Sequence, residues 1–127
     1  MLYAELASYG FYLVCVFQLA LVFGAPWGEY TQGGQTKGKL NRAGRIGAAV
    51  SIVILILMAQ SILASHGSGL LAAAPSWLIA TGTWFTFGYG ILGFIMNWIT
   101  RSKKERMIWG PVATVLLILI SLTIFGN

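Results

Sequence analysis

A chain of 127 residues that is 57% hydrophobic and only 9% charged lies far from the roughly 25% charged composition of soluble domains, and it reads as a membrane protein. Its net charge of +5 comes from basic residues that flank apolar stretches, so it reports membrane orientation and excludes a nucleic-acid partner. One cysteine, Cys15, and one histidine, His66, exclude a disulfide framework and supply no ligand set for zinc or haem, so neither metal nor cofactor is expected.

Apolar segments run at about 6–24, 46–65, 77–99 and 107–125, each near the roughly 20 residues that cross a hydrocarbon core of about 30 Å. The expected fold is all-α, an up-and-down bundle of four transmembrane helices over about 5–24, 42–65, 76–99 and 103–126. It forms a single integral membrane domain, residues 1–127, with basic loops over about 25–41 and 100–106. The first segment is not read as a secretory signal, because such a signal carries a positive n-region and the first Lys or Arg here is Lys37.

In the first helix Glu5, Ser8, Tyr9 and Tyr12 share one face near the terminus. A carboxylate flanked by tyrosines could bind a cation or relay protons; an interfacial Glu that reaches water is the plainer alternative. Gln18 follows within the same span.

The loop GAPWGEYTQGGQTKGKLNR, Gly24 to Arg42, contains G-x-x-x-x-G-K from Gly33 to Lys39. Leu40 stands where a nucleotide site needs Ser or Thr for magnesium, and no strand precedes it, so it is not a phosphate loop. Trp27 and Tyr30 with Lys37, Lys39, Arg42 and Arg45 instead read as an interfacial anchor that attracts anionic lipid at about 1 kcal/mol per basic residue. Gly28, Gly33 and Gly34 point to a folded loop packed back under the bundle.

Asn41 is placed to cap the second helix, whose Gly44, Gly47, Ala48 and Ser51 form a small-residue face. Gln60 lies within that span, available to a cavity or to an interhelical hydrogen bond, and His66 follows in a short glycine-containing loop. His66 is either a solvated loop residue or a pH-sensitive group acting with Glu5 or Gln60. Pro75-Ser76 opens the third helix. There Gly82, Thr86, Gly90, Gly93 and Asn97 keep to one narrow face, a packing seam for the bundle, for a homo-oligomer or for a pore, with Trp84 and Phe85 lying off it. Ser102 and Glu105 have capping-box spacing, so the fourth helix is expected to begin near Lys103 in water and enter the membrane around Trp109, with a kink at Pro111. Glu105 could pair with Arg42 or Arg45 across the two loops, although exposed pairs contribute little and a solvated helix start is the plainer alternative.

All eight cationic residues fall in two connections, Lys37, Lys39, Arg42 and Arg45 in one and Arg101, Lys103, Lys104 and Arg106 in the other. The positive-inside rule puts both in the cytoplasm and Met1, the His66 loop and Asn127 outside.

GAPWGEYTQGG together with SKKERMIWGPV resembles the signature of a group of small, uncharacterised bacterial four-helix membrane proteins. These carry a GAPWG-type loop after the first helix and an ER-x-x-W-x-PV-type start to the fourth. The likeness spans nearly the whole chain. It implies a multi-pass protein of the bacterial cytoplasmic (inner) membrane, brings no activity with it, and singles out Pro26, Trp27, Gly28, Glu105, Arg106, Trp109 and Pro111.

No nucleophile stands beside a base in this sequence, which argues against an enzyme. The leading expectation is a non-enzymatic accessory, scaffold or lipid-interacting protein, whose partners are the bilayer, anionic lipid, and further copies or a larger membrane complex. The alternative is a small oligomeric transporter or channel whose polar pathway draws on Glu5, Tyr9, Tyr12, Gln18, Gln60 and Asn97. A transporter requires polar side chains converging on a cavity that reaches the midplane, whereas a scaffold permits a dry interior.

Overall fold

A computed structural model describes residues 1–126, and Asn127 lies outside the described residues. The described residues form four long α-helices and two short 3-10 turns: α1 Leu2–Val22, the turns Gly28–Tyr30 and Gln32–Gly34, α2 Arg42–Ser65, α3 Ser76–Ile99 and α4 Lys103–Phe125. Each helix is long and apolar enough to cross a membrane, so the chain is a four-helix, multi-pass membrane protein. Helices adjacent in sequence pack against each other and α4 closes the ring onto α1, with the α1–α2 interface the most extensive. Helices that follow one another in sequence are thus neighbours, as in an up-and-down bundle.

Local chemistry sets the helix ends. The Asn41 side chain accepts from the Gly44 N–H at 2.8 Å, and Ser102 Oγ accepts from the Glu105 N–H at 3.1 Å, each satisfying one orphan donor for about 1 kcal/mol. Only the serine half of the box at α4 is made, because the Glu105 side chain is engaged elsewhere. The helical conformation of α4 continues through Pro111. Within the spans, hydroxyls and amides bond back one turn, as in Ser61 to the Leu57 carbonyl, Thr86 to Gly82 and Asn97 to Gly93. Hydrocarbon offers these groups no water, so local acceptors satisfy them.

Small residues decide how closely the helices approach. A Cβ at Gly82 would lie 2.2 Å from Ser61 Oγ on α2, and one at Gly10 would lie 2.6 Å from Leu116 on α4. The seam of α3 is therefore shared between two partners. Gly82 meets α2, Gly90 meets Ile120 of α4 at 3.0 Å, and a Cβ at Gly93 would meet nothing within 4 Å. Trp84 and Phe85 are exposed, as are Ile91, Leu92, Ile95 and Ile99 of the same helix, a surface suited to lipid.

The interior is divided along its length. Ala4, Ala7, Phe11, Met58, Ile62 and Ile120 form a dry cluster at the end that carries the termini. A smaller cluster of Leu21, Leu40 and Ala48 joins α1 and α2 at the opposite end, where the basic connections lie. Between α1, α3 and α4 at that basic end the bundle is not filled.

Candidate functional site

The first connection is an ordered cap and not an open hairpin turn. Arg45 donates from Nε and Nη2 to the Val22 carbonyl at 2.8 and 2.6 Å, so a side chain of α2 closes the C-terminus of α1, where helix carbonyls lack partners. The chain then turns through Gly24 with φ +96° and crosses beneath the bundle to α4. Phe17 of α1 holds it there. Its ring stacks on Trp27 at 5.8 Å and takes Trp109 of α4 edge-on at 4.6 Å, and such pairs contribute about 0.5–1.5 kcal/mol beyond their area.

Glycines let the crossing segment come close. A Cβ at Gly28 would lie 2.4 Å from the Thr36 carbonyl oxygen, and Gly33 and Gly34 have φ of +75° and +70°, a region that favours residues without a side chain. Gln32, beside them, adopts φ +50° and donates its amide to the Gly44 carbonyl at 2.9 Å. The small face of α2 thus serves the loop, with Gly44 and Gly47 accommodating the Gln32 side chain.

Four contacts fasten the cap to the start of α4. Ser102 Oγ donates to the Glu29 carbonyl at 2.6 Å, the Gly33 N–H donates to Glu105 Oε2 at 2.9 Å, Lys104 forms an ion pair with Glu29, and the Lys104 ammonium lies 5.6 Å from the Tyr30 ring centre. The Lys104 ammonium also holds the Glu29 carboxyl below the usual carboxylate range, chiefly through their hydrogen bond. Glu105 takes neither course open to it in the sequence, a pairing with Arg42 or Arg45 or a solvated helix start. Arg45 is committed to Val22, Glu105 to a backbone amide, and the ion pair that bridges the loops is Lys104–Glu29. The loop backbone in its positive-φ conformation brings an N–H to Glu105 before any guanidinium reaches it.

Above this cap lies a cavity of about 320 Å³ between α1, α3 and α4. Its polar lining comes from Gln18 of α1, Tyr30, Thr31 and Gln32 of the cap, Asn97 of α3 and Glu105 of α4; no Lys, Arg or His lines it. Glu105 is only 8% exposed. Glu105, Gln32 and Met96 also line a second cleft at the basic surface, shared with Arg101, Thr100 and Gln35. The inner cavity extends along α4 as far as Leu116, about 16 Å from Glu105 at 1.5 Å per residue. Above it the dry core of Phe11 and Ile120 begins.

The structure thus brings together some of the residues singled out in the sequence and separates others. Gln18 and Asn97 meet at the cavity with Tyr30 and Trp109. Gln60 and Tyr12 lie toward the other end, where Gln60 Nε2 donates to the Tyr12 hydroxyl at 2.6 Å and Gln60 Oε1 accepts from the Leu70 N–H at 2.8 Å. His66 Nε2 is 3.0 Å from the Thr123 carbonyl, bonded to neither Glu5 nor Gln60. Tyr9 is exposed, and Glu5 is half-buried with its carbonyl accepting from Ser8 Oγ. Lys37, Lys39, Arg42, Arg101 and Lys103 are all exposed. Thr31, Gln32, Phe17 and Tyr89 of the site are not singled out by the sequence. For the first two the adjacent Gly33-Gly34 pair was the available signal, since a polar side chain next to two left-handed glycines is held close to whatever the turn packs on. Comparison with protein-family models, with curated proteins and with solved structures finds no match to this chain.

Proposed function

We propose that this protein is a non-enzymatic, lipid-interacting component of a bacterial cytoplasmic membrane, with both basic connections in the cytoplasm, the termini outside, and a preformed cationic cap that engages anionic headgroups. The observation that carries this reading is the cap itself. A loop of this composition would cost ordering entropy on binding, yet here its backbone is fastened to α4 through Glu29, Gly33, Ser102 and Glu105. Lys37, Lys39, Arg42, Arg101 and Lys103 remain exposed around it. Cations held at the headgroup level each contribute about 1 kcal/mol toward an anionic surface, and Trp27 and Trp109 beside them are the aromatic anchors of such an interface.

The test is native mass spectrometry of the protein released from mild detergent after exposure to mixed phosphatidylglycerol and phosphatidylcholine. Preferential retention of phosphatidylglycerol is expected, and Lys37→Gln, Lys39→Gln and Arg42→Gln together should abolish the preference while Arg45 is left to hold α1. Equal retention of both lipids by the wild type would overturn the reading. A C-terminal reporter active only in the cytoplasm tests the orientation, and a fully active fusion would refute it.

A second reading, a small oligomeric transporter or channel, is favoured by the cavity, because it runs from polar side chains at the basic end to Leu116, near the middle of the α4 span. Beyond it toward the termini lies the apolar cluster that includes Phe11 and Ile120.

A further inference from the structure

We propose that the cavity above the cap is a binding site for an organic ammonium group, with Glu105 as its counter-ion. This inference does not rest on the anionic-lipid reading, which concerns the exposed cations outside the cavity.

The lining offers acceptors in its amides and in Glu105, beside the Gln18 amide and the Tyr30, Thr31 and Tyr89 hydroxyls, which can accept or donate. Asn97 spends its amide N–H on the Gly93 carbonyl and Gln32 spends its own on the Gly44 carbonyl. A carbonyl can only accept, so both amide orientations are fixed; the Asn97 oxygen makes no hydrogen bond among the described residues, while the Gln32 oxygen lies close to Gly44 of α2. Glu105 is more than nine-tenths buried and receives one N–H, from Gly33, on one oxygen. Among the described residues the one ion pair is Lys104–Glu29, so Glu105 has no cationic partner within salt-bridge distance. Its second oxygen makes no hydrogen bond among the described residues and is placed to accept from a cationic group entering the cavity.

Three features select an organic cation over a bare metal ion. The volume of about 320 Å³ is at the low end of small-molecule sites, roughly 300–1,000 Å³, and far exceeds an ion. Four aromatic residues line it, and of these Tyr89 and Trp109 are neither stacked on Trp27 nor under the Lys104 ammonium; aromatic faces attract ammonium groups. Most of the remaining lining is aliphatic, Leu92, Val112, Ala113 and Leu116, suited to the carbon skeleton of an amine. Entry is from the basic surface, through the cleft that shares Glu105, Gln32 and Met96 with the cavity. The same ammonium chemistry is carried by a soluble amine and by the ethanolamine headgroup of a phospholipid, whose phosphate would then lie toward Arg101 in the outer cleft.

The experiment is calorimetric titration of the purified full chain in dodecyl maltoside with tetramethylammonium and with ethylammonium, using sodium and potassium chloride as controls. Saturable binding of an ammonium probe is expected, weakened about tenfold or more by Glu105→Gln, whose carbonyl still accepts from Gly33, and about three- to tenfold by Trp109→Leu. Gly93→Leu should abolish binding by filling the cavity without touching Glu105, since nothing lies within 4 Å of a Cβ there. It keeps the test decisive if the Glu105 variant does not fold. Repeating the titration with added phosphatidylethanolamine separates the sources: competition identifies the headgroup, and undiminished binding identifies a soluble amine, either outcome upholding the site. No saturable binding of either probe to folded wild type, equal binding by the Gly93→Leu variant, or equal binding of sodium or potassium would overturn it.

Discussion

A Cβ added at Gly34 would sit 2.6 Å from Cβ of Ser102, so the loop reaches α4 at a distance that only a residue without a side chain permits. Gly34 also has φ +70°. Gly34→Ala should therefore combine backbone strain of about 1–2 kcal/mol with overpacking of about 1–3 kcal/mol. Gly38→Ala meets the same backbone term, at φ +75°, but nothing within 4 Å. Amide hydrogen exchange across residues 28–38 should rise strongly in the first variant and modestly in the second; equal effects would refute the close approach.

The Lys104–Glu29 pair makes the cap acid-sensitive. Because Lys104 holds the Glu29 carboxyl below its ordinary value, the folded cap is the state with the depressed pKa. Its contribution is fully present above the unfolded carboxylate value and is lost as pH falls through the depressed one. The pair is solvent-exposed and screened by salt, so the effect is small. Spin labels at positions 37 and 101, on a Cys15→Ser background, should report a constant separation down to about pH 5, from the unperturbed carboxylate value near 4, and a broader distribution below it. Glu29→Gln should show the broader distribution at every pH. A wild-type distribution unchanged to pH 3 would remove Glu29 as a fastener.

At the other end Gln60 connects three segments, since it bonds Tyr12 on α1 and the Leu70 amide of the connection between α2 and α3. Hydrogen bonds between membrane helices average about 0.6 kcal/mol and reach about 1.7. Tyr12→Phe should thus destabilise by roughly 0.6 kcal/mol, and Gln60→Leu, which removes both bonds, by about 1–2 kcal/mol. Reversible unfolding in mixed micelles provides the comparison, and an equal loss in the two variants would show that the Leu70 bond contributes nothing.

Gly82 and Ser61 offer a reciprocal pair. Gly82→Ala collides with Ser61 at 2.2 Å from Oγ and 2.8 Å from Cβ, for an expected cost of about 1–3 kcal/mol. Ser61→Gly on that background should recover most of it, a coupling that a double-mutant cycle measures. Gly93→Ala, with open space around it, should leave the bundle as stable or more stable by up to about 1 kcal/mol, as alanine gains over glycine in a helix.

The four helices and two of their caps were legible because hydropathy and capping are local properties, read from a window of neighbouring residues. Asn41 and Ser102 needed only their own following turns to be recognised. The partners of the cap were not legible in the same way. Glu105 lies 72 residues from Gly33, and which donor reaches it depends on loop dihedrals that turn on Gly33, Gly34 and an unusual Gln32. Charge alone allowed Arg42 or Arg45 as partners, but Arg45 points back to the end of α1. The polar residues of the spans illustrate the same limit. Gln18 and Gln60 looked alike as isolated amides in apolar runs, and only the packing of neighbouring helices assigns one to a cavity and the other to an interhelical bond.

The fastening of the loop to α4 also sets an order of assembly. Glu29 and Gly33 follow α1 in the growing chain, whereas Ser102, Lys104 and Glu105 appear only as α4 begins, 72 to 75 residues later. At about 5–20 residues per second the ribosome takes roughly 4–15 s to supply them. During that interval the loop lacks its three anchors from α4 and is held only by contacts within the first hairpin, such as Gln32 to Gly44. The cap, and the cavity it floors, is thus a late structure that closes only when the second hairpin docks, so a chain interrupted before α4 retains helices without ever acquiring the site.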